Sequence, residues 1–382
     1  MQTLNLEDGP CGRLVPTVDG QLAFVPSPLP RRFDLSTPLV AQLDKATLTV
    51  GTLAGVGETL PNPHLLITPF LRREAVVSSR IEGTQASVSD VFIYEASDER
   101  GVAPDAREVL NYVRALEYGM HMLNELPISV RLANLVHGRL LEGVRGEEKR
   151  PGELRQIQNW IGSAGTNIGD ARFVPPPPDL VPELLADWER FLNEELEMPP
   201  LVQCALMHYQ FEAIHPYVDG NGRIGRLLII LFLYARRVLP KPLLYLSDYF
   251  ERNRDAYMDH LYRISATGEW EPWLSFFLTG VAQQATDALE RSRRIRQLQD
   301  QYRTLLQQKK ESANAFRLLD SLFANPYITA PGAARALDVT HAGAQGIIDR
   351  LIAAGVLRPL TGHWPRLYVA EELLRAIEEP LA

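Results

Sequence analysis

Apolar residues recur at helical spacing along most of this chain. Leu39, Leu43, Ala46 and Val50 follow one another at intervals of three or four residues, which is the periodicity of one buried helix face. The same reasoning predicts further helices, which in chain order cover residues 69–83, 105–124, 129–141, 150–161, 180–195, 201–214 and 224–234. Strand patterns with alternating apolar residues are few, so the main body is predicted to be mostly α.

Proline and glycine mark where the predicted elements begin and end. Pro69 and Pro151 stand at first-turn positions of two predicted helices, and Gly83 supplies a C-terminal stop. The proline-rich residues 1–35 are predicted to form an extended arm that lies on a larger body. The glycine-rich residues 162–173, which precede four consecutive prolines, predict a two-stranded flap or an irregular loop.

The C-terminal part of the chain changes character twice. Residues 290–311 form a predicted polar helix with seven Lys or Arg against three Asp or Glu, which indicates a solvated connector. Residues 312–382 are predicted to be a separate unit, in which an amphipathic helix precedes a helix-turn-helix at 330–354 and a small hairpin at 355–369. That order of elements is typical of a winged helix.

Composition places this chain among ordinary globular proteins. At 382 residues, with 46% hydrophobic and 23% charged residues, it is long enough for two or three domains. The net charge of −8 argues against a general nucleic-acid or membrane-surface binder. Cys11 and Cys204 are the two cysteines, which excludes a disulfide framework and favours the cytoplasm. We expect no signal peptide and no membrane span, because the longest apolar run is too short.

One stretch concentrates the chemistry of the chain, His-Pro-Tyr-Val-Asp-Gly-Asn-Gly-Arg-Ile-Gly-Arg from His215 to Arg226. Its consecutive Gly-Asn-Gly lets the backbone turn N–H groups inward at a helix start, which favours anion binding. Arg223 and Arg226, three residues apart, can add charge-assisted hydrogen bonds to the same anion. Asp219 can hold Mg²⁺ against phosphate oxygens, and His215 can act as a general base.

A dinucleotide-binding fold is one alternative for this stretch. Gly220 to Gly225 is a literal G-x-G-x-x-G, and Asp248 follows after a strand-like segment. That motif has to follow a strand, however. Residues 201–214 are too long and too helical in their periodicity to be one, so the pattern argues against this fold.

A zinc site and an ordinary structural role are the remaining alternatives. His208, Glu212 and His215 could hold zinc, but their spacing is not H-E-x-x-H. His208 and Glu212 are also explained as an i,i+4 pair packed at a helix surface. Asp-Gly and Asn-Gly are common in turns without any function. The twelve-residue combination is harder to explain in that way.

The stretch resembles the signature of the Fic family, H-P-F-x-[DE]-G-N-G-R-x-x-R, with Tyr217 in place of phenylalanine. That position is predicted to be a buried anchor that tolerates the change. Residues 151–155, 160–162 and 173–178 resemble the family's helix and flap segments. Residues 72–84 resemble its inhibitory helix, and the winged helix fits a large bacterial branch.

The resemblance implies a Fic-fold helical bundle with a small β-hairpin flap. It implies transfer of AMP from ATP to a Ser, Thr or Tyr hydroxyl of a target protein, or of the enzyme itself, with Mg²⁺ and loss of pyrophosphate. His215 would be the base and Asp219 would hold Mg²⁺. The nucleotide would be bound by Gly220, Asn221, Gly222, Arg223, Ile224, Gly225 and Arg226, and the adenine by Tyr249 and Asn253. A homodimer is a further expectation.

Glu82 has two interpretations. Ser79-x-x-Glu82 fits a capping box that would begin a helix, whereas Gly83 indicates that a helix ends there. By resemblance to the inhibitory motif, which also includes Ser78, Glu82 would pair with Arg226 and keep the enzyme weak. Glu82 could also orient a water that removes the AMP group, and both directions stay open.

These inferences divide the chain into an N-terminal arm and inhibitory region (1–110), a catalytic core (111–289), a connector helix (290–311) and a winged helix (312–382). The last part supports a second class of function, a DNA-binding regulator with a nucleotide-sensing Fic domain. Six Arg against seven Asp or Glu, however, give it no basic face. A winged helix that docks protein is therefore an equal alternative.

Overall fold

The computed structural model of the chain describes residues 6–59, 63–99, 103–162, 165–362 and 364–379. They form two compact units. The first comprises residues 1–52, 111–240 and 246–284, and the second comprises residues 53–110, 241–245 and 285–382. The four-part division predicted from the sequence is based on motifs, whereas these two units are defined by contacts between residues. The four-part division stays a prediction.

Fifteen α-helices and five short strands lie within the described residues, so the mostly α prediction is confirmed. The helices are α1 (Thr37–Thr59), α2 (His64–Ile81), α3 (Val88–Ala96), α4 (Pro104–Met122), α5 (Val130–Leu140), α6 (Val181–Asn193), α7 (Pro200–Ile214), α8 (Asn221–Ala235), α9 (Ser247–Arg252), α10 (Arg254–Thr267), α11 (Trp270–Gln308), α12 (Ala313–Ala324), α13 (Ala330–Leu337), α14 (His341–Ala353) and α15 (Glu371–Glu378). The strands are β1 (Gly12–Pro16), β2 (Leu22–Pro26), β3 (Tyr327–Thr329), β4 (Arg358–Leu360) and β5 (Leu367–Val369). Among the described helices, none is both long enough and apolar enough to span a membrane.

Helix α7 lies at the centre of the first unit. Thirteen of its fifteen residues are buried, including polar ones such as Gln203 and His208. Tryptophans from two other helices donate to its backbone carbonyls: Trp188 Nε1 to Met207 O at 3.1 Å, and Trp273 Nε1 to Ala205 O at 3.0 Å. Because α7 is surrounded by other elements, the loop that follows it is anchored in the core.

The N-terminal residues form a hairpin rather than an extended arm. Strands β1 and β2 pair antiparallel, and Gly20 occupies the turn with φ +79°. Asp19-Gly20 is a local turn signal for this hairpin, although the surrounding prolines favour an extended segment. The hairpin packs against other parts of the first unit, because Phe24 is fully buried and its N–H donates to Val174 O at 2.8 Å.

The helix predicted over residues 150–161 is wrong. Arg150 and Gly152 have left-handed backbone with φ +58° and +82°, which interrupts any helix. The N–H groups of this segment bond to other parts of the unit instead: Gly152 N donates to His137 Nδ1 at 2.8 Å, and Arg155 N donates to Pro216 O at 2.9 Å. Tertiary hydrogen bonds therefore replace the helical ladder that the periodicity suggested.

The predicted connector is the second half of the 39-residue helix α11, and it is not a solvated helix. Ile295, Leu298 and Leu306 are buried, and Arg291 is only 2% exposed. The guanidinium of Arg291 binds Asp287 at 2.7 Å and the carbonyl of Ile377 at 2.8 Å. A narrow apolar stripe thus buries one face of a helix whose composition is mostly polar.

The C-terminal elements follow the predicted order. Helices α12, α13 and α14 precede the hairpin β4–β5, and β3 joins that hairpin in a sheet of order β3-β5-β4. Thr329 and Thr340 cap α13 and α14, because their hydroxyls accept the N–H groups of Gly332 and Gly343, both at 3.1 Å. His363 of the predicted hairpin loop lies outside the described residues.

Candidate active site

His215 ends helix α7 in a left-handed backbone conformation, with φ +50°. This conformation is costly for a residue with a side chain and persists only where the surroundings hold it. Two side chains hold its carbonyl: Arg155 Nε donates to it at 2.9 Å and Asn159 Nδ2 at 3.3 Å. The imidazole Nδ1 lies 3.3 Å from Glu212 O. Because a carbonyl only accepts, Nδ1 carries the proton and Nε2 is the basic atom of the neutral ring.

Tyr217 is the buried anchor of the loop. It is 1% exposed and stacks on His137, with ring centroids 3.8 Å apart and planes inclined by 6°. Its hydroxyl donates to Asn134 Oδ1 at 2.8 Å, and burial raises its pKa well above the usual value for tyrosine. The extra hydroxyl that distinguishes Tyr217 from phenylalanine is therefore satisfied.

His137 joins the loop to the segment before the flap. Its Nδ1 accepts the N–H of Gly152 at 2.8 Å, so its proton lies on Nε2, which donates to Asp219 O at 3.0 Å. Burial lowers the pKa of His137 to about 4. The ring is therefore neutral near pH 7, as this pattern of one accepted and one donated bond requires.

The loop closes on itself where helix α8 begins. Asn221 accepts the N–H of Tyr217 on Oδ1 and donates from Nδ2 to Tyr217 O, both at 2.8 Å. Gly220 precedes the helix with φ +79°, a conformation that favours glycine. The first-turn N–H groups of α8 have no carbonyl one turn earlier and face outward along the axis. This end of α8 is suited to an anion.

Three charged side chains, those of Asp219, Arg223 and Arg226, lie in or next to the first turns of α8. Arg223 and Arg226 are 1% and 2% exposed, although cations at a helix N-terminus oppose the helix dipole. Arg223 Nη2 lies 3.7 Å from Asp219 Oδ1, which also accepts the N–H of Gly220 at 2.6 Å. The carboxylate of Asp219 is 39% exposed and remains accessible to a ligand. The two guanidiniums and the N-terminal end of α8 together place positive charge where a polyanion could bind.

Two family models match the chain. The Fic/DOC family N-terminal model matches residues 40–121, and the Fic/DOC family model matches residues 127–233, which include the loop described above. The chain belongs to the Fic family.

Part of the chain is also similar in sequence to named adenylyltransferases. The protein adenylyltransferase Fic of Drosophila ananassae is 30% identical over 176 residues, which cover 44% of this chain and 31% of that protein. A probable protein adenylyltransferase of Aquifex aeolicus is 35% identical over 208 residues, covering 52% of this chain and 57% of that protein. The chain thus spans less than two thirds of either relative's length.

A solved structure confirms the fold over a longer part of the chain. The crystal structure of a Fic family protein from Desulfovibrio desulfuricans aligns with a TM-score of 0.58 at 17% identity. The alignment covers 88% of this chain and 97% of that one. The fold prediction of a helical Fic bundle is therefore correct.

Not every residue of the Fic signature faces a ligand. Ile224 is fully buried, so only its backbone could meet a nucleotide. Gly225 lies where α8 crosses α7, and a Cβ on it would lie 2.1 Å from Glu212 Oε1 and 3.3 Å from His208 Cε1. Gly225 thus permits close helix packing, whereas Gly220 and Gly222 lie at the helix end.

The predicted adenine contacts lie in the same unit as the Fic loop. Tyr249 packs on α11, with its ring 4.8 Å from that of Phe276, and a Cβ on Gly280 would lie 2.6 Å from its Cδ1. Asn253 is exposed and donates from Nδ2 to Tyr249 O at 2.9 Å. Their role in binding adenine stays a prediction.

The predicted inhibitory residues belong to the second unit. Helix α2 begins at His64 rather than at Pro69, which lies inside it, and ends at Ile81. Glu82 is the C-cap residue and is exposed, Ser78 is fully buried, and Gly83 has φ +96°. The interpretation of Ser79 as the start of a helix is wrong, because the helix ends there. The pairing of Glu82 with Arg226 stays a prediction.

The predicted flap is an irregular loop closed by one backbone bridge. Ile161 and Phe173 exchange two hydrogen bonds, at 2.8 and 3.1 Å. Trp160 donates from Nε1 to Thr166 O at 3.0 Å, and its side chain is 41% exposed. Ser163 and Ala164 lie outside the described residues.

The two alternative sites are not supported. Helix α7, not a strand, precedes the glycines, so the dinucleotide fold is excluded. No group of three metal-binding side chains occurs in the described ranges. His208 is fully buried rather than at a helix surface, and it contacts Gly225 O at 3.2 Å and Tyr257 Oη at 2.7 Å.

Sequence reasoning missed the residues that support the loop. His137 occupies an apolar face of α5, where nothing in the local pattern separates it from a core residue. Asn134, one turn earlier, gave no signal either. Arg155 lies in a segment that resembles the family, but the resemblance alone predicts no role for this residue.

Proposed function

We propose that this Fic protein transfers AMP from ATP to a hydroxyl side chain of a target protein. The hydroxyl oxygen forms a bond to the α-phosphorus, and the bond from that phosphorus to the α–β bridging oxygen breaks. Pyrophosphate carries away the electron pair. The hydroxyl proton goes to Nε2 of His215, the atom left basic by the contact of Nδ1 with Glu212 O.

The observation that carries this proposal is the pair of buried guanidiniums at the start of α8. Arg223 and Arg226 are 1% and 2% exposed at the helix end whose dipole favours anions. A triphosphate suits this arrangement, because Arg binds phosphate through forked, charge-assisted hydrogen bonds and the helix end offers N–H donors. The basic atom of His215 belongs to the same closed loop.

Asp219 is suited to hold Mg²⁺ beside the phosphates. Mg²⁺ in nucleotide sites is commonly bound by one or two carboxylates together with phosphate oxygens and water. The donor set here fits that pattern, since one partly exposed carboxylate stands next to the helix end. When bound, Mg²⁺ would neutralise phosphate charge. The contact of Arg223 with Asp219 Oδ1 at 3.7 Å orients the carboxylate.

The irregular flap would align the target segment. Pairing of an extended peptide with exposed backbone gives affinity without strict sequence requirements. Ile157 and Trp160, which precede the bridge at Ile161, are 60% and 41% exposed. Their apolar surface would contact side chains of the target near the modified hydroxyl.

Labelled ATP tests the reaction class. We expect radioactivity from the α-phosphate, and none from the γ-phosphate, to be retained on the protein or on a target in cell extract. Adenylyl transfer alone gives that pattern, because pyrophosphate leaves with the γ label. Retention of the γ label would instead indicate phosphoryl transfer, and retention of neither would contradict the proposal.

We further infer that Glu82 weakens the resting enzyme by pairing with Arg226. A glutamate at the C-cap of α2 opposes the helix dipole, at a cost of roughly 0.3–1 kcal/mol that a cationic partner would remove. We expect Glu82→Gly to raise self-modification at least about tenfold, a change equivalent to roughly 1.4 kcal/mol of released coupling. The measurement is AMP incorporation from α-labelled ATP over time.

Glu379→Gly is a matched control. Glu379 is also an exposed C-cap glutamate in the second unit, at the end of α15. It should leave self-modification at the wild-type level. An equal rise in both variants would show a general effect of helix-end charge, and no rise in Glu82→Gly would end the inhibitory interpretation.

The predicted winged-helix region, residues 312–382, is better suited to docking a protein than to binding DNA. The polar side chains of α14 already have internal partners: Arg350 pairs with Glu311 at 3.0 Å, and Gln345 bonds to Asp349 at 2.8 Å and to Tyr368 Oη at 3.0 Å. We expect no binding to duplex DNA at low salt in a fluorescence-anisotropy titration. Binding that weakens steeply with added salt would favour the regulator instead.

A further inference from the structure

Arg155 is a buried cation bonded to backbone carbonyls. It is 3% exposed, and its guanidinium donates to His215 O at 2.9 Å, Ile157 O at 3.2 Å and Ile214 O at 3.4 Å, with a further bond to Pro176 O. Within the described part of the chain, each hydrogen-bond acceptor of this guanidinium is a backbone oxygen. A guanidinium placed for an ion pair would have a carboxylate.

Apart from Ile157 O, which lies two residues from Arg155, the acceptors belong to two separate segments. Ile214 and His215 end helix α7 and begin the loop, whereas Pro176 follows the flap. The backbone N–H of Arg155 adds a third link, to Pro216 O at 2.9 Å. One rigid planar group therefore fixes the distance between the basic residue His215 and the chain that leaves the flap.

Neighbouring contacts reinforce both segments. Asn159 Nδ2 donates to the carbonyls of His215 and Tyr217 at 3.3 and 2.9 Å. On the flap side, Gln158 Nε2 donates to Pro175 O at 2.8 Å. These neutral amides each contact one segment, whereas Arg155 contacts both.

The electrostatics of Arg155 are unusual for a structural residue. Burial lowers its pKa to about 10, so it is still protonated near pH 7. A buried charge without a carboxylate is costly. The carbonyls at the end of α7 carry the negative end of the helix dipole, which partly compensates. Lysine would bring the same charge but not the fixed fork that reaches several carbonyls at once.

We propose that Arg155 is a positioning residue, which holds His215 and the flap at the separation needed for transfer to a peptide hydroxyl. This inference rests on the proposed adenylyl transfer. Because its guanidinium is buried and bonded to backbone carbonyls, Arg155 is placed to position other groups rather than to bind nucleotide or target. Its hydrogen bond to His215 O holds the left-handed backbone of His215 and thereby the direction of the imidazole. Its hydrogen bond to Pro176 O holds the segment that follows the flap.

Replacement of Arg155 should separate catalysis from nucleotide binding. In Arg155→Met we expect kcat to fall about 100-fold, since a misplacement of roughly 1 Å is enough for such a loss. The dissociation constant for ATP should change by less than about threefold, because the phosphate-binding N–H groups come from α8. Arg155→Lys should recover only a small part of kcat. The rates are measured with α-labelled ATP in the Glu82→Gly background, which raises the baseline.

Arg236 offers a matched control. Its guanidinium donates to Leu192 O at 2.7 Å and Glu194 O at 3.3 Å, at the end of α6 in the same unit. Arg236→Met therefore removes an arginine with the same kind of acceptors, which lie at the end of α6 and belong to neither the loop nor the flap. It should leave kcat within about twofold of the baseline, whatever it does to stability.

Hydrogen–deuterium exchange tests the inference without any activity. In Arg155→Met, amides in peptides that cover residues 157–176 and 214–222 should both exchange at least about tenfold faster, because both segments lose a shared support. In Arg236→Met neither peptide should change.

Unchanged exchange around His215 in Arg155→Met overturns the positioning role. If the baseline protein transfers no AMP but the exchange result holds, the proposed function fails, while the link that Arg155 makes between His215 and the flap stands. A parallel loss of ATP binding and kcat, with slowed or unchanged exchange, also overturns it.

Discussion

His215→Ala is expected to abolish AMP transfer while ATP still binds. The contact of Nδ1 with Glu212 O leaves Nε2 as the proton acceptor, and no other group is assigned that role in the proposed reaction. Loss of a general base lowers a rate by about 100- to 10,000-fold, so transfer should fall below detection in most assays. The proposed phosphate-binding groups belong to α8, so the substitution should leave them unchanged. Transfer is measured with α-labelled ATP, and binding by calorimetry.

A control separates this effect from a general loss of structure. His341 is an exposed histidine at the start of α14 in the second unit, and His341→Ala should leave transfer unchanged. The dissociation constant for ATP should remain within about threefold in both variants. Transfer retained by His215→Ala would remove this residue from the mechanism. Transfer lost together with ATP binding would indicate that the loop has collapsed.

The central part of the site could be predicted because its signals are local. The long apolar periodicity of α7 and α8, the glycines between them and the charged residues of the loop all lie within one short stretch. Glycine next to asparagine at a helix start has few conformations available to it, so the residue types constrain the geometry directly. The same locality allowed the dinucleotide fold to be rejected, because the preceding element was recognisably a helix.

The supports of the loop could not be predicted, because they depend on tertiary contacts. His137 and Arg155 are distant in sequence from the carbonyls that they bind, 82 residues from Asp219 and 60 residues from His215. The segment that contains Arg155 has the composition of a helix. Its backbone becomes irregular because N–H groups at Gly152 and Arg155 find partners elsewhere. Propensity is a weak guide wherever such contacts compete with it.

The largest stability effect is expected at His208, another residue that pattern alone placed wrongly. The pattern allows a surface pair with Glu212, yet His208 is fully buried and lies 6.1 Å, centroid to centroid, from the ring of Trp273. Burial, with the charge of Arg226 nearby, lowers the pKa of His208 to about 3. Its ring nitrogens contact Tyr257 Oη and Gly225 O. The folded protein thus holds this imidazole neutral down to strongly acidic pH.

Acid should therefore destabilise the first unit between pH 6.5 and pH 3. The unfolded chain takes up a proton on His208 near pH 6.5 and the folded chain only near pH 3, so stability is complete above this window and is lost as the pH falls through it. At about pH 4.5 this single group should have cost about 3 kcal/mol of the free energy of unfolding. Urea denaturation, followed by the fluorescence of buried Trp188 and Trp273, measures the loss.

His208→Gln isolates the contribution of this group. An amide can still bond to Tyr257 Oη and Gly225 O but does not titrate, so the variant should lose about 3 kcal/mol less than wild type between about pH 7.5 and about pH 4.5. His341→Gln, at an exposed histidine, should keep the wild-type dependence. His137, whose pKa burial also lowers, adds a loss of the same sign in both proteins and does not alter the difference. If His208→Gln lost stability as steeply as wild type, the imidazole of His208 would have to be protonated in the folded protein despite its full burial.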